Sequence, residues 1–144
     1  MADVDIAGDI EAPAAQVWKI IGDFGAVRRW ASVVQEERVE ETPEGPVRTL
    51  VMAEGRTVRE RKIIASELSY TYTILDSPAL AEYRSTIAVV PLTPTLSRIV
   101  LVVHVVPGIG PDAKSDDELD AYYTRFVQAN LKAMLRALRE GAAA

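Results

Sequence analysis

Glu60, within the stretch VRERK at residues 58–62, shares one side of a strand-like segment with Val58 and Lys62. If that side points inward, a carboxylate is taken out of water and must be paired, protonated or hydrated. Facing an open cavity, it could pass protons as a general acid or base. Facing outward, it would be half of a cross-strand ion pair with one of the neighbouring arginines. Tyr83 heads a second stretch, LAEYRSTIAVVP at residues 80–91, where Tyr83, Ser85, Ile87 and Val89 alternate with Arg84, Thr86, Ala88 and Val90. This is strand spacing. A solid core would favour apolar residues at 83 and 85, so Tyr83 and Ser85 fit better beside a ligand or water. Tyr72 suits a strand in the same way. A tyrosine has an apolar body and a polar tip, so Tyr72 or Tyr83 could orient an apolar ligand or donate to a developing oxyanion. Plain packing with the hydroxyl at the rim is the alternative. The catalytic candidates are Glu60 and Tyr83.

Three further features carry less chemistry. Asn130 interrupts an apolar helical stripe, and its amide needs partners from a ligand, pocket water or a nearby carbonyl. His104 is the single histidine. It alternates with Val100, Val102 and Val106, and a structural role suits it better than general base. Arg56, Arg59, Arg61 and Lys62 fall on both sides of one strand, which predicts a solvated face paired with acids rather than one basic surface.

The elements that must position these residues follow from periodicity. DVDIAGDIEAP alternates Val4, Ile6, Gly8 and Ile10 against acids, a half-buried strand. Pro13 opens a short helix that Gly22 and Gly25 end, and AVRRW can add another turn or two. Strand-like segments follow at about 33–41, 47–53, 56–64, 69–75 and 82–92, then SRIVLVVHVVP, apolar on both sides. Short turns between successive strands favour an antiparallel meander. Ser115 and Glu118 form a capping box for a terminal helix over about 116–140, with Gly141 as its stop and a frayed GAAA tail. Leu119, Tyr122, Phe126, Met134 and Leu138 share its stripe, widened by Tyr123, Val127 and Leu131. The class is α+β: a broad apolar helix laid across the concave face of a sheet.

Composition excludes more than it selects. A chain of 144 residues with 49% hydrophobic residues suits one domain, residues 1–144, with a real core. The net charge of −5 opposes phosphate backbones, so no nucleic-acid partner is expected. With no cysteine and one histidine, neither thiolate chemistry nor a multi-histidine metal site is available. No cofactor is expected. No basic leader followed by an apolar run and no membrane-length apolar run is visible, and the expected setting is cytoplasmic.

The order of elements, with the stretches IEAPAAQVWKIIGDFGAVRRW, GPVRTL, VRERK, YTYTILDSPALAEYRSTIAVVP and YYTRFVQANLKAML, resembles the helix-grip fold of the START-like, or SRPBCC, superfamily. The resemblance covers almost the whole chain and points to the polyketide cyclase/dehydrase-like branch. It implies a seven-stranded curved antiparallel sheet around the long C-terminal helix, two short helices between strands 1 and 2, and a cavity between sheet and helix. At motif level the chain is similar to the plant abscisic-acid receptors. That similarity implies pocket positions at Tyr83, Glu60, Val58, Tyr72, Tyr122, Phe126 and Asn130, with Leu80 as a latch residue. It also places Gln35 where those receptors carry a carboxylate-binding lysine, which removes the obvious cation for an acidic ligand.

Two functional expectations follow. One is binding of a small, largely apolar molecule, aromatic, polyketide-like or lipid, in the internal cavity. The other is a cyclase, dehydratase or aldolase acting in the same cavity through Glu60. An interaction module using the doubly apolar last strand, as in a homodimer, is a third.

Overall fold

The structure, a computed structural model, describes residues 1–143. Nine-residue β1 (Ala2–Ile10) leads into α1 (Ala14–Ile21) and a single 3₁₀ turn at Val27–Arg29. Six strands follow: β2 (Val34–Glu40), β3 (Val47–Met52), β4 (Thr57–Ser66), β5 (Ser69–Leu75), β6 (Leu80–Thr93) and β7 (Leu96–Pro107). The helix α2 (Asp116–Ala143) closes the chain. All pairings are antiparallel, in the order β1-β7-β6-β5-β4-β3-β2. This is the seven-stranded helix-grip architecture.

Two boundaries depart from the sequence reading. The second of the two expected helices is only the 3₁₀ turn. Glu37 accepts hydrogen bonds from the backbone N–H groups of Val27 (2.7 Å) and Arg28 (3.3 Å), which ties that turn to β2 after one round. At the other end, Gly141 does not stop α2. The helix runs on through the alanines, the best helix formers, to Ala143, and the last residue of the expected frayed tail lies outside the described residues.

The grip itself is a matter of parity. Along β7, Ser97, Ile99, Leu101, Val103 and Val105 are buried, while His104 is on the opposite, convex side. The last strand is thus apolar on both sides but has a definite inner one. The α2 residues Leu119, Tyr123, Val127, Met134 and Leu138 are buried where the helix packs on β1, β7 and α1. The helix crosses β1 closely: a Cβ on Gly8 would lie 3.1 Å from the Leu131 side chain. The Ser115–Glu118 capping box forms as its sequence predicts, with each residue's backbone N–H bonded to the other's side chain.

Candidate functional site

Residues of opposite charge meet at the inner wall because of one tight turn. Between β3 and β4 the chain reverses over Ala53–Arg56, where Gly55 takes φ +96°. The Met52 N–H donates to the Arg56 carbonyl at 2.8 Å. Counting back from that closure pairs Leu50 with Val58 and Arg48 with Glu60. Both residues of the second pair face the interior, at 2% and 7% exposure.

Arg48 is surrounded. Its Nε donates to Glu60 Oε1 at 2.7 Å, and its Nη1 donates to the Phe24 carbonyl and the Tyr70 hydroxyl, each at 3.1 Å. The guanidinium carbon lies 4.3 Å from the Phe24 ring centre and 4.5 Å from that of Tyr72. A buried charge is costly unless paired and hydrogen-bonded, and this one has an ion pair, two further acceptors and two ring faces. Burial alone would lower the Arg48 pKa; Glu60, Tyr70 and Tyr72 outweigh it, so the net direction is up.

From this cluster a row of rings runs beneath α2. Tyr72 and Tyr83 lie 6.1 Å apart between ring centres, Tyr83 and Tyr123 5.6 Å, and Tyr122 and Tyr123 4.9 Å. Burial pushes the Tyr72 hydroxyl up, Glu60 adds to this, and Arg48 and Ser85 oppose it without reversing it. Burial also drives Tyr83 well up, helped by Tyr72 and Glu60. Tyr123 is pushed up to about 12, chiefly by burial and then by Tyr122. These phenols keep their protons at neutral pH and are hydrogen-bond donors there.

A cavity of about 120 Å³ lies between the ion pair and the helix. Val58, Glu60, Tyr72, Tyr83, Tyr122, Phe126 and Asn130 all border it. So do Arg48, Trp30 and Tyr123, which the sequence reading did not select. Val33 and Arg56, both more than half exposed, mark where it meets solvent.

Three expected positions fall elsewhere. Gln35 is exposed, because a bulge between Val34 and Glu36 turns Val34 inward in its place. Leu80, opposite Pro107 and partly buried against the core, borders a separate groove rather than this cavity. Ser85 is buried, but it faces a void of only about 10 Å³ beside Tyr72 and Asn130. His104 is on the convex side, with Nδ1 2.7 Å from Asp3 Oδ1. Arg56, Arg59 and Arg61 pair with Glu54, Asp76 and Glu44, while Lys62 turns inward over the Phe24 ring. A larger space of about 440 Å³ at the ends of β1 and α2 contains none of the candidate residues. Among the described residues, no group of three or more histidine, cysteine or acidic residues is placed to hold a metal ion. No helix there is long and apolar enough to cross a membrane.

Arg48 was within reach of sequence reasoning. The glycine turn at 53–56 sets the β3–β4 register, and simple counting then puts an arginine directly opposite Glu60 on the same side. What hid it was the arginine-rich β4, which offered several nearer partners.

A curved antiparallel sheet closed over a long terminal helix, with a lined cavity between them, is a helix-grip fold. Residues 1–141 match the family model for polyketide cyclase / dehydrase and lipid transport, and the chain belongs to that family. Among solved structures, an uncharacterised protein from Bacillus thuringiensis is 27% identical, with a TM-score of 0.82 over 95% of this chain and 98% of that one. The Zhui aromatase/cyclase from a Streptomyces species is 20% identical, with a TM-score of 0.73 over 98% and 93% of the two chains. A START superfamily protein from Mycobacterium smegmatis is 14% identical, with a TM-score of 0.80 over 97% and 99%. The last two are likenesses of fold. No curated protein matches the chain.

Proposed function

We propose that the protein binds a small, largely apolar, ring-containing molecule in the space between the sheet and α2. The observation that carries this is the ring-lined cavity ending on the buried Arg48–Glu60 pair. Size narrows the ligand. An apolar cavity of roughly 150 Å³ accepts benzene, so about 120 Å³ suits one aromatic ring and not a fused polycycle. Chemistry narrows it further. The wall offers neutral phenols, the Asn130 amide and a guanidinium already committed to a carboxylate. Such a set favours an acceptor oxygen on the ring, a keto or phenolic group, over a free carboxylate. Native mass spectrometry of freshly purified protein tests the reading. A co-purified ring compound released on denaturation is the expected result; a ligand-free protein that also binds no aromatic ketone or phenol in calorimetry would defeat it.

A second reading, a cyclase or dehydratase acting in the same cavity, is supported by the family's name and by the buried Tyr83, whose phenol keeps its proton. Glu60 suits it less well, because a proton delivered there would strip Arg48 of its counter-charge. Glu60→Gln keeps shape and hydrogen bonding. If Glu60 transfers protons, turnover should fall by ~10²–10⁴-fold with binding nearly intact. In a binder, only affinity and its pH dependence should change.

A further inference from the structure

β5 and β6 are sequence neighbours, yet their ladder stops short. It runs from Ser69–Ala88 to Tyr72–Ser85 and ends there. Beyond that point β5 continues to Leu75, held by β4, and β6 begins at Leu80, held by β7. The two strands part as they approach their own turn.

The sequence of the turn explains why. Continuing the register would leave Pro78 and Ala79 as a two-residue hairpin loop. Such loops need φ above zero at their first position, which proline cannot adopt. The chain makes a turn of the ordinary hand instead: the Leu80 N–H donates to the Ser77 carbonyl at 3.1 Å, with Pro78 second in the turn. Turns of that hand splay the strands they join. Gly108, after β7, then pins the turn away from β5. Its N–H donates to the Ala79 carbonyl at 2.8 Å, and a Cβ there would come within 2.6 Å of the Pro78 carbonyl oxygen.

Two separate spaces lie on either side of this gap in the ladder. On the convex side is a groove of about 290 Å³, bordered by Ile63, Thr73, Leu80 and Ala81 and edged by the exposed Glu82–Arg84 pair. Ile74 and Tyr83 border both this groove and the inner cavity. They would face each other across the missing continuation of the ladder.

We propose that the β5–β6 slot is a second binding subsite, and that the ligand is a two-part molecule threaded through the sheet. Its ring occupies the inner cavity, a polar linker lies between Ile74 and Tyr83, and a second apolar group rests in the outer groove. The linker would be an amide or ester, suited to backbone edges that have no strand partner across the slot. This rests on the cavity-binding reading and extends it.

The test compares N-methylbenzamide, a ring and an amide, with N-benzylbenzamide, which adds a second ring. Both are titrated by calorimetry and NMR. In the wild type the second ring should tighten binding about tenfold or more, as expected for partial burial of one ring. The chain has no cysteine, so Thr73→Cys with Arg84→Cys introduces a single possible disulfide at the first position beyond the ladder. Oxidation should close the slot and abolish the advantage of the longer amide, and reduction should restore it. The separate variant Ala81→Trp, at an exposed groove position, should abolish it too while leaving N-methylbenzamide binding within about twofold; it carries the test if the disulfide does not form. No advantage in the wild type, or an advantage that survives both closures, overturns the slot. Binding of neither amide overturns the cavity reading itself.

Discussion

The space between the sheet and α2 has two ends built on different rules. Beneath α1 the core is solid, with Val17, Ile21, Ile99 and Met134 wholly buried and aliphatic or thioether in character, and the space of about 440 Å³ there is a groove at its edge among exposed Asp9, Glu11, Gln16 and Arg139. Beneath the first turns of α2 the core is hollow, walled by Tyr72, Tyr83, Tyr122 and Phe126 and closed by an ion pair. Branched and flexible side chains interdigitate to close packing. Flat rings must satisfy edge and face preferences, and a guanidinium must keep its hydrogen bonds, so neither can bend to fill a gap. The hollow end is walled by the residue types least able to bend into a gap, and the closely packed end lies beside it.

The largest effect should come from breaking the charge cluster. Arg48→Met leaves Glu60 buried without its partner and should cost about 3–5 kcal/mol in urea denaturation. The double variant Arg48→Met, Glu60→Met should recover most of that loss, and the preference for oxygen-bearing rings should persist, since the phenols and Asn130 still line the cavity. If the single and double variants are equally unstable, the pair is not what matters at that end.

Next in size, Met134→Ala at the solid end should cost ~2–5 kcal/mol, while Phe126→Ala at the hollow end should cost about 2. Phe126 already borders empty space, so less packing is lost there. The Phe126 change should also enlarge the cavity and tighten binding of bulkier rings, read by calorimetry. Equal costs would mean that the two ends pack alike.

The tyrosines sharpen the contrast through pH. Tyr70, Tyr72, Tyr83 and Tyr123 all have raised folded-state pKa values, with burial the leading cause in each, and Tyr123 reaches about 12. Unfolded tyrosines ionise near ~10. Above that pH the unfolded state releases protons that the folded state retains, so stability falls as pH rises. Melting temperatures should hold below about pH 10 and drop between about 10 and 12, with phenolate absorbance appearing together with unfolding. Phenolate that appears in the folded protein well before unfolding would show the rings to be solvent-accessible. The smallest effect belongs to the convex face: Arg98→Ala removes an exposed pair with Asp9 and should leave the denaturation midpoint essentially unchanged.

Much of this is legible from residue order. The meander, the long helix and its cap follow from periodicity and capping chemistry, which act over a few residues. Tyr72, Tyr83, Phe126 and Asn130 could be placed towards the interior because strand parity and the helical stripe are also local signals. Gln35 misled because a bulge shifts parity by one, and nothing in VVQEERVE announces it. Leu80 lies outside the cavity because the splayed turn holds it away from β5, beside a separate groove.

What the chain determined by itself, then, is the set of elements and the inward face of most strands, since hydrophobic alternation is written into adjacent residues. Which charges meet was decided by the assembled sheet: Arg48 finds Glu60 only when two strands lie in register and a third wall, Phe24 with Tyr70, closes over them. Whether the interior is filled or hollow was likewise left to tertiary structure. Volume is a property of side chains meeting from distant segments, and no single segment contains it.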